Sequence, residues 1–375
     1  MDYKKNPWPM MLSFLFICLS LNNHPSLGAD TISANKSLSG DHTIISNGGN
    51  FELGFFTTDN SNYYMGMWYK KVSLRTIVWV ANRGTPIYYP SSSVLRISDG
   101  NLVLFDESQI PIWSTNLSPT SSGPLEAVLR DDGNFVLRDG SANSSKLLWQ
   151  SFDNPTHTWL PGAKIGYNNK TKQKMHLISW KSSEDPAPGL FALELQPNTS
   201  SYIIQWKRSV QYWNSGPWDG KIFSWVPEMR ANYIYNFSYV SNENESYFTY
   251  SLYDPSIISR FVMDISGKIQ QLSWLESTQQ WNLFWSQPRT QCEIYAFCGP
   301  FGICNQQSLP FCSCLKGFQT TSSYSWNLSD SSASCARKTT LQCGNDSPAN
   351  GKRDKFWEMP SVKSQLYLQL QLCFK

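Results

Sequence analysis

Two short phrases in this chain set a carboxylate and a carboxamide on either side of a glycine. Asp99-Gly100-Asn101-Leu102-Val103-Leu104 returns 33 residues later as Asp132-Gly133-Asn134-Phe135-Val136-Leu137, and Gly48-Gly49-Asn50-Phe51 is a worn earlier copy. Asp and Asn in such a set supply donors and acceptors for the hydroxyls of a sugar. They also have a purely structural use, because Asp-Gly and Gly-Asn make a tight turn with positive φ and cap it. Both readings stand at this level.

The elements that must position these residues are short strands. Each copy leads to a tryptophan in an apolar stretch, Ile77-Val78-Trp79, Pro111-Ile112-Trp113 and Leu147-Leu148-Trp149, spaced by 34 and 36 residues. Repetition at this period marks an architecture. Alternating runs such as Leu-Val-Leu are half-buried strands, and no stretch sustains a period of 3.6. The expectation is an all-β chain whose first part is a three-faced prism, with three hairpins turning a Trp toward a common axis. The texture persists afterwards: Gly189–Leu195 and Tyr202–Trp206 read as a hairpin across a Pro-Asn-Thr turn. Ser266-Gly267 followed by Ile269–Trp274 repeats the layout of Gly turn, strand and Trp, and Tyr212–Trp218 reads as an aromatic turn.

At 375 residues the chain is long enough for two or three domains. Charged residues are 16% and aromatics 14%, with 16 Trp, which suits an aromatic-cored β protein. The net charge of +3 is gathered into no basic stripe, so nucleic acid is not an expected partner. Lys4 and Lys5 ahead of the apolar run Met10–Leu21 form a secretory signal, with cleavage after Gly28 or Ala29. The run is too short to span a bilayer, and no other approaches that length, so a secreted chain without a membrane helix is expected. Nine sequons, at Asn35, Asn116, Asn143, Asn169, Asn198, Asn236, Asn244, Asn327 and Asn345, point to a glycosylated exterior. Cys18 falls in the signal, and the other eight cysteines all follow residue 291, which implies a disulfide framework. Fifteen connectivities are open to the six cysteines from Cys292 to Cys335.

Distributed motifs carry a family likeness: Trp79-Val80-Ala81-Asn82-Arg83, Trp149-Gln150-Ser151-Phe152-Asp153-x-Pro155-Thr156, Leu160-Pro161-Gly162, Ser179-Trp180-Lys181-Ser182, Tyr212-Trp213-x-Ser215-Gly216-Pro217-Trp218 and Cys298-Gly299-Pro300-Phe301-Gly302-x-Cys304. In this order they resemble the extracellular part of plant S-locus glycoproteins and S-domain (G-type lectin) receptor-like serine/threonine kinases. The resemblance implies a signal peptide over 1–28, a bulb-type lectin β-prism over 29–152 and a second lectin-like S-locus glycoprotein domain over 153–287. A disulfide-rich EGF-like module over 288–343 and an incomplete PAN/apple segment over 344–375 follow. It also implies the pairs Cys292–Cys304, Cys298–Cys312 and Cys314–Cys335. Cys343 and Cys373 either pair with each other or stay free, and Leu366–Leu372 alternates like an exposed edge strand.

Bulb-type lectins hold mannose with a pattern Gln-x-Asp-x-Asn-x-Val-x-Tyr. The second copy here reads Ile97, Asp99, Asn101, Val103 and Phe105; the third reads Arg130, Asp132, Asn134, Val136 and Arg138. Each keeps three of five residues, a degenerate sugar site. No enzyme signature is present, the family's kinase domain is missing, and His42, His157 and His176 stand alone and read as surface or turn residues. The cysteine segment contains no histidine and no acidic run before Cys292, so neither a metal nor any other cofactor is expected. The leading expectation is a secreted recognition module for an extracellular protein or cysteine-rich peptide, with sibling S-domain receptors as candidates, as in pollen recognition or signal perception. The alternatives are a mannose-type lectin, or a truncated receptor kinase without a role of its own.

Overall fold

The computed structural model describes residues 30–59, 61–118, 123–141, 146–196, 198–321 and 334–339. The signal sequence, the sequons at Asn143, Asn327 and Asn345, the cysteines Cys18, Cys343 and Cys373, and the 344–375 segment lie outside them. Regular structure among the described residues is almost entirely strand; the helices among them are three short 3-10 turns, Ser151–Asp153, Pro227–Ala231 and Gln291–Glu293. The chain divides into two compact units, the first ending at Asn154 but also taking in the turn Ser277–Gln279, the second formed by the rest from Pro155.

The first unit is built from three four-stranded antiparallel sheets. One joins Thr43–Ile45, Phe51–Thr57, Tyr63–Tyr69 and Ile77–Val80. The second joins Leu38–Ser39, Val94–Ser98, Asn101–Phe105 and Pro111–Ser114; the third joins Thr31–Ser33, Leu125–Leu129, Phe135–Asp139 and Leu147–Gln150. Alternation along each strand sends one set of side chains inward, so Leu53, Met67, Leu102, Leu104, Phe135 and Leu137 are essentially inaccessible. Trp79, Trp113 and Trp149 each sit opposite one of these residues: Met67, Leu104 and Leu137. A register shift follows each of those partners, so the three tryptophans occupy one repeated position. Their rings meet at 5.8, 6.0 and 5.7 Å, all close to edge-on, and close the prism axis.

The second unit repeats the plan with three more four-stranded sheets. These are Thr158–Trp159, Ser259–Met263, Ile269–Leu275 and Gln280–Gln287; Lys174–Met175, Ile165–Asn168, Glu245–Leu252 and Tyr235–Ser241; and Leu177–Trp180, Pro188–Gln196, Ser201–Trp206 and Val210–Asn214. Tyr212–Asn214 is thus strand rather than turn, because Trp213 pairs with Ile204 beside a register shift, the repeated position of the first unit. The same rule makes Trp285, opposite Gln271, the counterpart of the repeat tryptophan, and not Trp274, which lies one strand earlier. Downstream, two short ribbons, Gly302–Cys304 with Cys312–Cys314 and Phe318–Thr320 with Cys335–Arg337, surround a core of Cys298, Cys312 and Cys335.

Candidate functional site

In the second copy Asp99 and Gly100, with φ of 49° and 77°, are the two residues of a tight hairpin that pairs Ser98 with Asn101. Two consecutive positive φ values match the twist of the flanking strands, which is why Asp-Gly serves here. Asn101 is fully engaged inside the protein. Its Oδ1 accepts the Leu117 N–H at 2.6 Å and the Thr115 hydroxyl at 2.9 Å. Its Nδ2 donates to the carbonyls of Leu117 at 3.2 Å and Asp99 at 3.3 Å. Two donors and two acceptors exhaust a carboxamide. The exposed Asp99 carboxylate accepts only from the Ser98 hydroxyl, at 3.0 Å.

The third copy uses a longer loop. Gly133 N–H donates to Arg130 O at 3.0 Å and Arg130 N–H to Asn134 O at 3.1 Å, with Gly133 at φ 83°. Asp132 caps the turn by accepting the Asn134 N–H at 2.9 Å. Asn134 is buried; its Nδ2 donates to Gln150 Oε1 at 2.8 Å, and its Oδ1 accepts from Ser151 Oγ and Phe152 N, both at 3.3 Å. The first copy's Asn50 donates to Asp131 O at 3.1 Å, and Asp131 Oδ1 accepts the Gly48 N–H at 2.6 Å. The first and third turns are therefore tied to each other.

Loop length decides which face the flanking residue takes. The two-residue loop pairs Ile97 with Leu102, on the inward face, and puts Ser98 beside Asn101. The three-residue loop keeps Arg130 beside Asn134. Sequence spacing aligned Ile97 with Arg130, and the register shows that they point to opposite faces. Val103 is 8% exposed; Arg96 stands opposite it and lays its guanidinium over the Phe105 ring at 4.6 Å. Val136 is 4% exposed between Val128 and Gln150, and the neighbouring Arg138 pairs with Glu126 at 3.0 Å.

Disulfides join Cys292 to Cys304, Cys298 to Cys312 and Cys314 to Cys335, the three pairs that the resemblance implies. Among the described sequons, Asn35, Asn116, Asn198, Asn236 and Asn244 are exposed. Asn169 is half-buried, and its Nδ2 already donates to Asn242 O at 2.8 Å. His157, read from sequence as a surface residue, is buried against the Trp180 ring at 5.2 Å with Thr156 Oγ1 3.3 Å from its Nδ1. His176 is half-buried, and burial pushes its imidazole below the usual range. No group of His, Cys, Asp and Glu among the described residues has the arrangement of a metal site. No helix among them is long and apolar enough to cross a membrane.

A β prism with a triangle of tryptophans, a second unit of the same plan and a three-disulfide segment define a class of lectin-fold protein. Comparison with known proteins agrees: residues 76–181 match the D-mannose binding lectin family and residues 213–322 the S-locus glycoprotein domain. A G-type lectin S-receptor-like serine/threonine-protein kinase of Arabidopsis thaliana is 53% identical over 94% of this chain and 42% of its own length. The S-locus-specific glycoprotein S6 of Brassica oleracea is 40% identical over 89% of this chain and 78% of its own length. A monomeric mannose-binding lectin structure from Gastrodia elata is 23% identical over 33% of this chain and 96% of its own, with a TM-score of 0.25. The chain belongs to the family of S-locus glycoproteins and S-domain receptor ectodomains. It spans less than half the length of the Arabidopsis kinase.

Proposed function

We propose that this chain is an extracellular recognition module that binds a protein or cysteine-rich peptide partner, a sibling S-domain ectodomain included, through surfaces other than the ancestral sugar motif. The observation that carries this reading is the state of the two carboxamides. Asn101 has no free donor or acceptor left, and Asn134 is buried in bonds to Gln150, Ser151 and Phe152. A sugar hydroxyl would have to displace these internal bonds, which gains nothing net. The apolar residues that would pack on a sugar ring, Val103 and Val136, are already buried. Secretion, the EGF-like character of the cysteine segment, a PAN/apple character of 344–375 and glycans at the exposed sequons belong to the same reading, and the oxidised cysteines accord with it.

The test is surface binding of the secreted chain, with its disulfides intact, against sibling ectodomains and small cysteine-rich peptides, run beside a glycan array. Saturable binding to one of these polypeptides with a blank mannose row supports the proposal. A mannose signal abolished by Asn101→Ala in protein that still folds would replace it with the lectin reading.

A further inference from the structure

The second prism differs from the first at its axis, and the difference has a chemical consequence. Trp213 and Trp285 occupy the repeated tryptophan position on two sheets. Ser215 confirms the first assignment: its hydroxyl accepts the Tyr202 N–H at 2.8 Å, as Thr115 and Ser151 accept from Leu102 and Phe135 two residues past their tryptophans. The third sheet pairs Tyr235–Ser241 with Glu245–Leu252 in unbroken register, without the shift that marks a repeat tryptophan. In place of a closed triangle there is a cavity of about 230 Å³, lined by Trp213 and Trp285 and by residues of all three sheets such as Tyr202, Tyr235 and Phe261. The 3-10 segment Pro227–Ala231 lies along it, held by Glu228, whose carboxylate accepts from Trp285 Nε1 and Gln287 Nε2 at 2.8 Å and from Arg289 at 2.6 Å. Tyr233 and Phe284, both well exposed, line its solvent side.

A buried amide in the wall keeps a free acceptor. The Leu272 carbonyl can only accept, so the Ser259 hydroxyl donates to it, at 2.9 Å. Ser259 Oγ then accepts from the Tyr235 hydroxyl, whose oxygen in turn accepts from Gln271 Nε2. This relay fixes the Gln271 amide with its nitrogen toward Tyr235, so Oε1 is turned away with no protein donor. Gln271 is 7% exposed and lines the cavity. It also replaces the apolar Met67, Leu104 and Leu137 that stand opposite the tryptophans of the first prism. Three other polar liners are satisfied: Ser215 by Tyr202 and Gly216, Asn232 by Ile234 and Tyr235, Glu228 as above.

We infer that the axis of the second prism is a binding site for a small planar aromatic molecule carrying one N–H or O–H donor, of the indole or phenol class, which stacks among Trp213, Trp285 and Phe261 and donates to Gln271 Oε1. The aromatic walls select a flat apolar body, and the buried Gln271 acceptor selects a donor on it. The size is adequate, since a cavity of about 150 Å³ admits benzene. The site is independent of the partner-binding surfaces proposed above.

The experiment uses the secreted chain and two probes, indole and 1-methylindole, which differ only in the donor. Binding is read by saturation-transfer NMR and by the rise in melting temperature. Indole is expected to bind roughly three- to tenfold more tightly than 1-methylindole, the worth of one neutral hydrogen bond. Gln271→Leu is expected to erase that preference, and Met229→Trp, which fills the cavity without touching the relay, to abolish both signals. No binding of either probe at millimolar concentration, equal binding of the two, or unchanged binding in Met229→Trp overturns the inference. If Gln271→Leu does not fold, the donor preference and Met229→Trp still decide it.

Discussion

Replacing Asn101 by alanine separates a scaffold role from a sugar-binding one. The substitution removes four hydrogen bonds, with partner distances of 2.6, 2.9, 3.2 and 3.3 Å, and strands the N–H and C=O of Leu117 and the Thr115 hydroxyl. At about 0.5–1.5 kcal/mol net for each bond, and with the longest discounted, the loss is about 2–3 kcal/mol. For a unit of this size that lowers the melting temperature by roughly 8–12 °C. Asp99→Asn is the matched control: Asp99 is exposed, its carboxylate meets only the Ser98 hydroxyl, and Asn tolerates a φ of 49°. Its expected change is within about 0.5 kcal/mol. Thermal unfolding of each variant is followed beside the parent by near-UV circular dichroism. If Asn101→Ala melts with the parent, or Asp99→Asn falls as far, the carboxamide is not a structural strut and the reasoning fails.

Trp149→Ala removes one corner of the triangle and its edge contacts to Trp79 and Trp113; a loss of about 3 kcal/mol is expected in chemical denaturation, and an unchanged midpoint would show that the rings do not hold the axis. Gly267 sits at φ 84°, where an added Cβ would meet Phe191, Tyr212 and Ile294 at 2.9–3.0 Å. Gly267→Ala should therefore destabilise the second unit by about 2 kcal/mol in chemical denaturation, with an unchanged midpoint counting against it. Burial lowers the His176 pKa against the pull of the Lys174 carbonyl and Glu194. The unfolded chain then binds a proton that the folded one refuses, so this contribution is whole above about pH 6.5 and is lost as pH falls through the lower folded value. His176→Gln should flatten the fall in melting temperature between pH 7 and pH 5, and a parallel fall in both proteins would contradict the assignment.

Repeats were legible because they are local. Asp-Gly-Asn, its alternating strand and the following Trp appear within one stretch of chain, and the three tryptophans do meet. The second unit was harder to read because its turns kept glycine and lost the acid. Gly267, at φ 84°, still closes a turn by donating to Asp264 O at 3.0 Å. Trp274 lay nearer to that turn in sequence, while register gave the repeat position to Trp285. The fate of His157 was not readable either, since burial depends on what packs over a residue and nothing beside it in sequence announces Trp180.

From residues alone came the all-β class, the prism and the disulfide-bearing segment, because turn chemistry, period-two alternation and cysteine clustering act over short distances along the chain. Tertiary structure decided the rest. Whether a carboxamide is free or spent depends on partners such as Leu117 and Gln150, both 16 residues away. One extra loop residue turned the position before the motif from the inner face to the outer. A missing third tryptophan becomes a cavity only when three sheets close around one axis.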